Sequence, residues 1–576
     1  MEKRKRRQQN LVEGSLILAV ATLLVKVLGA IYKIPLAGLL GGGLGSGYYN
    51  TAYEIYLPIY SLAMAGLPVA VSRMVAESVA QKRYRDTRKI LKVAQRAFLV
   101  TGTVGTVVIL ALIYLCLFNP AIQNVIGIDP NNVYATAVIA FSVLFCCVMS
   151  SYRGYYEGLR NMYPTAVSQV IEAVGKLVVG LVLAGSVRYI CTDRLGMTMN
   201  EAAPFAAAGA VMGVTLGSAV GAIFLILRHR TVGDGLTDAD LAASPEARSS
   251  RELLKAMVVI AVPIVIGSMV RDVAGLIDLV TVQARLKSVL TVHPDLISDQ
   301  FGVSAAVDTI GEKVTWLYGC YKQYAYSLYN LVPTITAVIG VSTIPTLCTA
   351  WAKEDANETG ESVRSILKLS SIISLPAGIG ITMLAGPILS LLFTNAASEV
   401  TVATPVLMVL GVSSVFAGIA VPTTSMLQAI GKQNIPVINM AVGVVLKIAV
   451  NYTLVGIETV NIIGAPAGTG VCYAYIMIAN LICLKHYTKV KLGVRTTVIK
   501  PALCAVACGL AAWLGYRACT AWIGEGKLST ALCIILAGVV YVICLGFSKT
   551  FSKNDIFMLP KGEKLAKILA KLHWIG

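Results

Sequence analysis

Uninterrupted apolar runs of about 20 residues, repeated along the whole chain, constrain this sequence more than any other feature. Wound as a helix, a run of that length spans the roughly 30 Å of hydrocarbon in a bilayer. Fourteen can be counted, near 14–40, 48–78, 92–118, 132–152, 163–187, 203–227, 256–284, 315–349, 365–393, 402–428, 436–456, 462–484, 500–522 and 528–547. They are continuous, without the two-residue alternation of a membrane β-barrel strand. The expected fold class is therefore an all-α polytopic membrane protein with fourteen transmembrane helices. Only 14% of the 576 residues are charged, against about a quarter in soluble domains.

The formal net charge of +18 would raise nucleic acid as a partner of a soluble protein. Its distribution argues otherwise. With the N-terminus in the cytoplasm, the tails and inner loops hold 34 of the 48 Lys and Arg, the outer loops seven and the spans seven. Cytoplasmic loops of membrane proteins carry just such an excess. The expectation is a multi-pass protein of the cytoplasmic membrane with both termini inside and no nucleic-acid partner. The basic start, MEKRKRRQQN, precedes a hydrophobic run too long and too lysine-bearing for a signal peptide. It reads as a retained first helix behind a basic tail.

The chain repeats itself. Pro68–Glu77 (PVAVSRMVAE) ends the second span and Pro345–Glu354 (PTLCTAWAKE) ends the eighth. Arg88-Lys-Ile-Leu-Lys92 and Arg364-Ser-Ile-Leu-Lys368 follow, at offsets of 277 and 276. A weaker echo links Asn161-Met-Tyr-Pro164 through Lys176 with Gln433-Asn-Ile-Pro436 through Lys447. Matching span two to span eight gives a six-span repeat. Six is even, so the copies share an orientation and enclose a central cavity between parallel halves. The expected organisation is an N-lobe over 1–228, a cytoplasmic linker over 229–255, a C-lobe over 256–487, two extra spans over 488–548, and a basic amphipathic tail over 549–576 lying on the inner leaflet.

Nucleotide motifs are absent. Gly526-Lys527 has Leu528 where a phosphate-binding loop needs Ser or Thr, so no ATP site is expected. The 13 cysteines are scattered through apolar runs and read as small buried hydrophobes, not metal ligands or a disulfide framework. Gly41, Gly42, Gly43, Gly45 and Gly47 read as a flexible connector at an outer turn.

Ionisable groups at membrane depth remain, and these are costly enough to be functional candidates. Lys26 and Lys33 lie seven apart on one face of the first span, about 10 Å apart along its axis. Span seven carries Arg271, Asp272 and Asp278, with Arg271 and Asp278 on one face. Because span seven is the repeat mate of span one, the two stripes are expected to face each other across the cavity. Arg73 and Glu77, Arg153 and Glu157, and Glu172 and Lys176 are spaced i,i+4 and can pair along a helix. The first two pairs lie near inner ends and suit structural or gating roles, as do Lys176 and Lys447; the third pair is deeper, and reads either as a buried self-neutralised pair or as one in which Glu172 has a proton or ion role. Glu54 stands near the outer end of span two, beside Tyr53, Tyr56 and Pro58. Lys447 is alone in span eleven, and Lys322 lies near the outer end of span eight. The cavity charge is then positive, suited to an anion such as a pyrophosphate; a carrier of organic cations would want unpaired carboxylates.

The stretches Lys26-Val-Leu-Gly29, Tyr48–Pro58 (YYNTAYEIYLP), Gly66-Leu-Pro68 with Arg73 to Glu77, Gly158-Leu-Arg-Asn161 and Ile344-Pro-Thr-Leu347 resemble the multidrug/oligosaccharidyl-lipid/polysaccharide exporter superfamily. Within it, the chain is similar to polysaccharide biosynthesis proteins of the stage V sporulation protein B type, relatives of the lipid II flippase. The resemblance implies alternating access that moves a lipid-linked saccharide to the outer leaflet. Lys26 stands where the flippase carries a cation before Val-Leu-Gly, and Lys33 matches a second cation with a one-residue displacement. Arg73 and Lys322 stand too near the two faces to match the flippase's cations in spans two and eight. Spans thirteen and fourteen would form a groove for the lipid tail. On this reading Lys26, Lys33 and Arg271, with Arg73 as a further cation, hold the pyrophosphate. Glu54, Glu172, Asp272 and Asp278 are the coupling carboxylates, for Na+ or H+. No metal, organic cofactor or enzymatic activity is expected, and the chain is expected to act as a monomer. The alternatives are a drug or metabolite cation antiporter, a membrane-embedded transferase acting on the same lipid, and a non-transporting scaffold.

Overall fold

The computed structural model describes residues 11–119, 129–304, 307–548 and 550, and every regular element in them is helical. The basic N-terminal tail and the expected amphipathic tail helix lie outside the described residues. Twelve helices among the described residues are long and apolar enough to cross a membrane, and a pair bent by 49°, Gly43–Ser61 with Met64–Ala80, makes a thirteenth span. The protein is thus a multi-pass helical membrane protein. The difference from fourteen lies in the eighth expected span. There the chain divides into Ile310–Gly319, a wide π turn at Cys320–Ala325, Tyr326–Tyr329 and Leu331–Ala352. Its middle, CYKQYAYSLYN, is polar and aromatic, and Pro333 withholds an amide just beyond it.

The chain forms two compact units, residues 1–284 with 307–319 and residues 285–306 with 320–576. The first contains α1 (Leu11–Leu39), α2 (Gly43–Ser61), α3 (Leu67–Ala80), α4 (Tyr84–Phe118), α5 (Asn132–Gly158), α6 (Tyr163–Tyr189), α7 (Met199–Thr231), most of α8 (Ser250–Val292), and α9 (Ile310–Gly319). The second contains α10 (Leu331–Ala352), α11 (Ala356–Met383), α12 (Ala397–Ala429), α13 (Asn434–Leu454), α14 (Gly464–Thr488), α15 (Lys500–Ile523) and α16 (Lys527–Phe547). The boundary falls inside α8, at Ala284.

Helix starts follow local chemistry. Thr198 and Glu201 form a reciprocal capping box at α7, and the Asp355 carboxylate caps α11. Pro164 opens α6, where a missing amide costs nothing. Apolar side chains such as Leu503, Leu510, Leu514, Ile535 and Val539 are exposed along α15 and α16, as a lipid-facing surface requires. On its inner side α15 packs with α16 against α11, and Tyr541 donates to the Ile372 carbonyl at 2.8 Å.

The glycine run is not a flexible connector. Gly41 and Gly42 take positive φ (76° and 86°) and make the turn, but Gly43, Gly45 and Gly47 are buried in the first turns of α2. A Cβ on Gly47 would lie 2.1 Å from the Thr315 carbonyl oxygen of α9, and one on Gly319 would lie 1.9 Å from the Gly43 carbonyl oxygen. Small residues let two membrane helices touch backbone to backbone. The same device joins α6 to α7, where a Cβ on Gly213 would lie 2.2 Å from Gly180 Cα.

Residues 231–250, expected as a polar linker, are pinned to the start of α4. Asp86, 1% exposed, accepts from Arg83 Nε at 2.6 Å and from the Arg248 amide and Nε at 2.7 and 2.9 Å. Asp234 accepts from Arg88 Nε at 3.2 Å, the Tyr155 hydroxyl at 2.9 Å and the Leu236 amide at 3.0 Å. Burial works to raise the Asp234 carboxyl, but these three donors outweigh it and hold the group below the usual carboxylate range.

Candidate functional site

The close crossing of α6 on α7 brings the polar face of α6 against α5, α2 and α1. Between them lies a cavity of about 370 Å³. Its charged lining residues are Lys26 from α1, Arg153 from α5, and Glu172 and Lys176 from α6. Tyr32, Tyr53, Tyr56, Tyr60 and Gln169 supply much of the rest.

The tyrosine wall follows from spacing. Residues 49, 53, 56 and 60 advance by four, three and four, so they share one face of α2. Successive ring centroids are 5.1, 6.0 and 5.2 Å apart, and Tyr53 meets Tyr56 edge to face at 80°. Tyr32 of α1 extends the wall, 6.4 Å from Tyr49.

The expected ion pairs rearrange. Arg153 turns to α6 instead of remaining with Glu157 on its own helix. Its Nε donates to Ser168 Oγ and its Nη2 to Glu172 Oε2, both at 2.9 Å. Ser218 of α7 donates to the other Glu172 oxygen at 3.4 Å. Lys176, expected to pair with Glu172, donates to the Tyr53 hydroxyl at 2.6 Å. It also lies 4.6 and 5.4 Å from the Tyr53 and Tyr32 ring centroids, within cation–π range. The reason is tertiary. Adjacent helices place a better partner across the interface than one turn away, and a guanidinium buried at 4% exposure needs several acceptors at once.

The remaining candidates are dispersed. Lys33 is half-buried on α1 and does not line the cavity. Arg73 and Glu77 are exposed on α3, where Glu77 accepts from Gln81 Nε2 at 3.4 Å. Glu54 projects from α2 toward α8, so that a Cβ on Gly275 would lie 2.5 Å from its carboxylate oxygen. Asp272 accepts a hydrogen bond from Ser61, and Gln283 Nε2 donates to Thr51 Oγ1 at 3.1 Å. Asp278 is buried on the same helix. The Arg271 side chain lies outside the described residues. Lys447 is half-buried on α13, and Lys322 is buried in the π turn, 4.6 Å from the Tyr326 ring; both belong to the second unit. Among the described residues, no group of three or more His, Cys, Asp or Glu could hold a metal ion.

Sequence reasoning found the four charged groups but not their partners, and it missed Tyr32, Tyr60 and Gln169 as cavity residues. The i, i+4, i+7, i+11 tyrosine spacing was the available signal.

The sequence model of the polysaccharide biosynthesis protein family matches residues 11–351, and that of lipid II flippase MurJ matches residues 318–536. The chain is 23% identical over 558 residues to the lipid II flippase MurJ of Bacillus subtilis (strain 168), covering 93% of this chain and 96% of that protein. A solved lipid II flippase MurJ in an inward closed conformation matches with a TM-score of 0.62 at 13% identity, over 92% of this chain and 98% of that one. An inward-facing multidrug resistance MATE family transporter of the MOP superfamily matches with a TM-score of 0.58 at 18% identity, over 80% and 98%.

Proposed function

Because this chain belongs to the polysaccharide biosynthesis protein family and has the fold of the multidrug/oligosaccharidyl-lipid/polysaccharide exporter superfamily, we propose that it flips an undecaprenyl-pyrophosphate-linked saccharide, such as a cell-wall precursor, across the cytoplasmic membrane. The observation that carries this reading is the charge of the cavity: three cations and one carboxylate line it at membrane depth. Charge there is costly, and an excess of cations suits an anionic ligand. Lys26, which lines the cavity, is the candidate grip for the pyrophosphate. The same excess disfavours a carrier of organic cations.

In this reading fourteen spans form two parallel six-helix lobes plus two, both termini are cytoplasmic, and the monomer works by alternating access without ATP. An ion gradient or the membrane potential drives it. Glu172, Asp272 or Asp278 couples Na+ or H+, and a potential of about 100 mV supplies about 2.3 kcal/mol per charge moved.

The test is transbilayer movement of labelled lipid-linked saccharide in proteoliposomes, with an imposed ion gradient or potential. Movement well above that of empty vesicles is expected. None above that background under either driving force would sink the flippase reading. Lys26→Ala is expected to slow movement at least tenfold, about 1.4 kcal/mol; an undiminished rate removes Lys26 from the site.

A further inference from the structure

We propose that the tyrosine wall of this cavity is a subsite for a sugar ring of the cargo, with Gln169 accepting a hydrogen bond from a hydroxyl or amide of that sugar. This rests on the lipid-linked saccharide reading and assigns one part of the ligand to one part of the site.

Three observations lead there. First, the ligand this cavity is built for donates hydrogen bonds. Gln169 Oε1 is buried and takes no hydrogen bond. A buried acceptor without a donor is costly to keep. A pyrophosphate has only acceptors to offer, whereas a sugar hydroxyl or an N-acetyl N–H supplies the donor. Glu172 lies three residues further along the same face of α6, so a carboxylate also lines the same cavity.

Second, the wall opposite is aromatic. Tyr53, Tyr56 and Tyr60 offer rings with electron-rich faces and polar edges. A pyranose has the complementary surface, a face of polarised C–H bonds rimmed by hydroxyls. The ring faces themselves offer a pyrophosphate no attraction, since both are electron-rich.

Third, two of the cavity's three cations are already held by protein groups, which leaves Gln169 and the tyrosine rings to meet an uncharged part of the cargo. Arg153 is held by Ser168 and Glu172, and Lys176 by the Tyr53 hydroxyl. A volume of about 370 Å³ is of the size that takes a small organic ligand.

The experiment measures equilibrium binding of two radiolabelled lipids to the purified full-length chain. One is undecaprenyl pyrophosphate bearing a disaccharide and the other is undecaprenyl pyrophosphate without sugar. The wild type is expected to bind the sugar-bearing lipid at least tenfold more tightly, and millimolar free disaccharide is expected to displace it but not the sugar-free lipid. Tyr60→Leu and Gln169→Leu should each cut that preference to threefold or less while the sugar-free affinity stays unchanged. Tyr60→Phe and Gln169→Glu, which keep the ring and the acceptor, should retain it. Equal wild-type affinity for the two lipids, or parallel weakening of both in the Leu variants, overturns the inference. The free-disaccharide competition needs no variant and decides the matter should one fail to fold. Preferential binding without transbilayer movement would defeat the flippase reading alone. Movement without preference would defeat the sugar subsite alone, and binding of neither lipid would defeat both.

Discussion

At the offset of 271 that relates Lys176 to Lys447, Ser168 corresponds to Asn439, and at the offset of 272 that relates Pro164 to Pro436, Arg153 corresponds to Ser425, next to Thr424. In the first unit these positions carry a charged network, in which Arg153 bridges Ser168 and Glu172 while Ser218 supports the carboxylate. In the second unit the network is neutral. Asn439 Nδ2 donates to Asn480 Oδ1 at 2.9 Å, and Asn480 Nδ2 donates to the Thr424 and Thr423 hydroxyls at 3.0 and 3.3 Å. The position of Glu172 is taken by Gly443, packed against Cys472 and Ile476 of α14. The second unit thus joins the same helices with amides and hydroxyls. Charge is not needed to hold this arrangement together, and burying it costs more desolvation than burying an amide. The first unit's ion pair is therefore the costlier of the two ways of joining these helices.

The starts of α4 and α11 make the same comparison. Arg88 and Arg364 occupy matching places in the repeat, and each reaches the loop that follows the sixth span of its copy. Arg88 finds the Asp234 carboxylate and the Leu236 carbonyl. Arg364 reaches only the Lys491 carbonyl, at 3.4 Å.

Four sets of substitutions sharpen or break this contrast. The largest effect is expected from Arg153→Ala, which leaves Glu172 in the interior without its counter-charge, at a cost of about 3 kcal/mol. Adding Glu172→Gln should restore most of it. Thermal unfolding in detergent measures both, and a double variant no better than the single one would show that the pair is not the coupled unit inferred here.

Next is Gly47→Ala. Its new methyl meets a backbone oxygen that cannot rotate away, and about 2 kcal/mol is expected. Gly443→Ala, whose Cβ would find Ile476 and Cys472 side-chain atoms at 3.0 and 3.1 Å, should cost less than half as much. Equal melting temperatures for the two variants would contradict the backbone contact between α2 and α9.

Asn480→Ala should cost about 1 kcal/mol through lost and stranded amide hydrogen bonds. The pairwise replacement Asn439→Leu with Asn480→Leu should come closer to the wild type than either single change. A pair worse than the sum of its singles would indicate that the amides do more than join helices.

The smallest effects concern the inner latches. Asp234→Asn should cost about 1 kcal/mol and Arg364→Ala no more than about 0.5 kcal/mol. The Asp234 carboxyl is held below the usual range in the folded protein, so it contributes stability above the unfolded value of about 3.9. That contribution is lost as pH falls through the folded value. The gap between wild type and Asp234→Asn should therefore be full at pH 6 and shrink below about pH 4. A gap independent of pH would refute the charged latch.

The legible part of this protein was the part written in local, additive properties. Length and hydropathy of the runs set an all-helical membrane fold, because a bilayer leaves the backbone no other way to satisfy its hydrogen bonds in an open chain. The offsets joining Pro68 to Pro345 and Lys176 to Lys447 exposed the repeat. Charge within apolar runs identified Lys26, Arg153, Glu172 and Lys176 as residues of interest, because charge at membrane depth is expensive wherever it stands.

What only the tertiary structure decided was partnership. Arg153 and Glu172 are 19 residues apart and Lys176 and Tyr53 are 123 apart, and nothing in the spacing of either pair announces it. The glycines at 43 and 47 were read as slack because sequence shows what a residue lacks, not what fills the space beside it. In the fold that space holds the α9 backbone. The break at Cys320–Ala325 in the eighth span and the pinning of residues 231–250 to α4 belong to the same class. In each, the outcome depends on distances between segments remote in the chain, and these are fixed only when the helices pack.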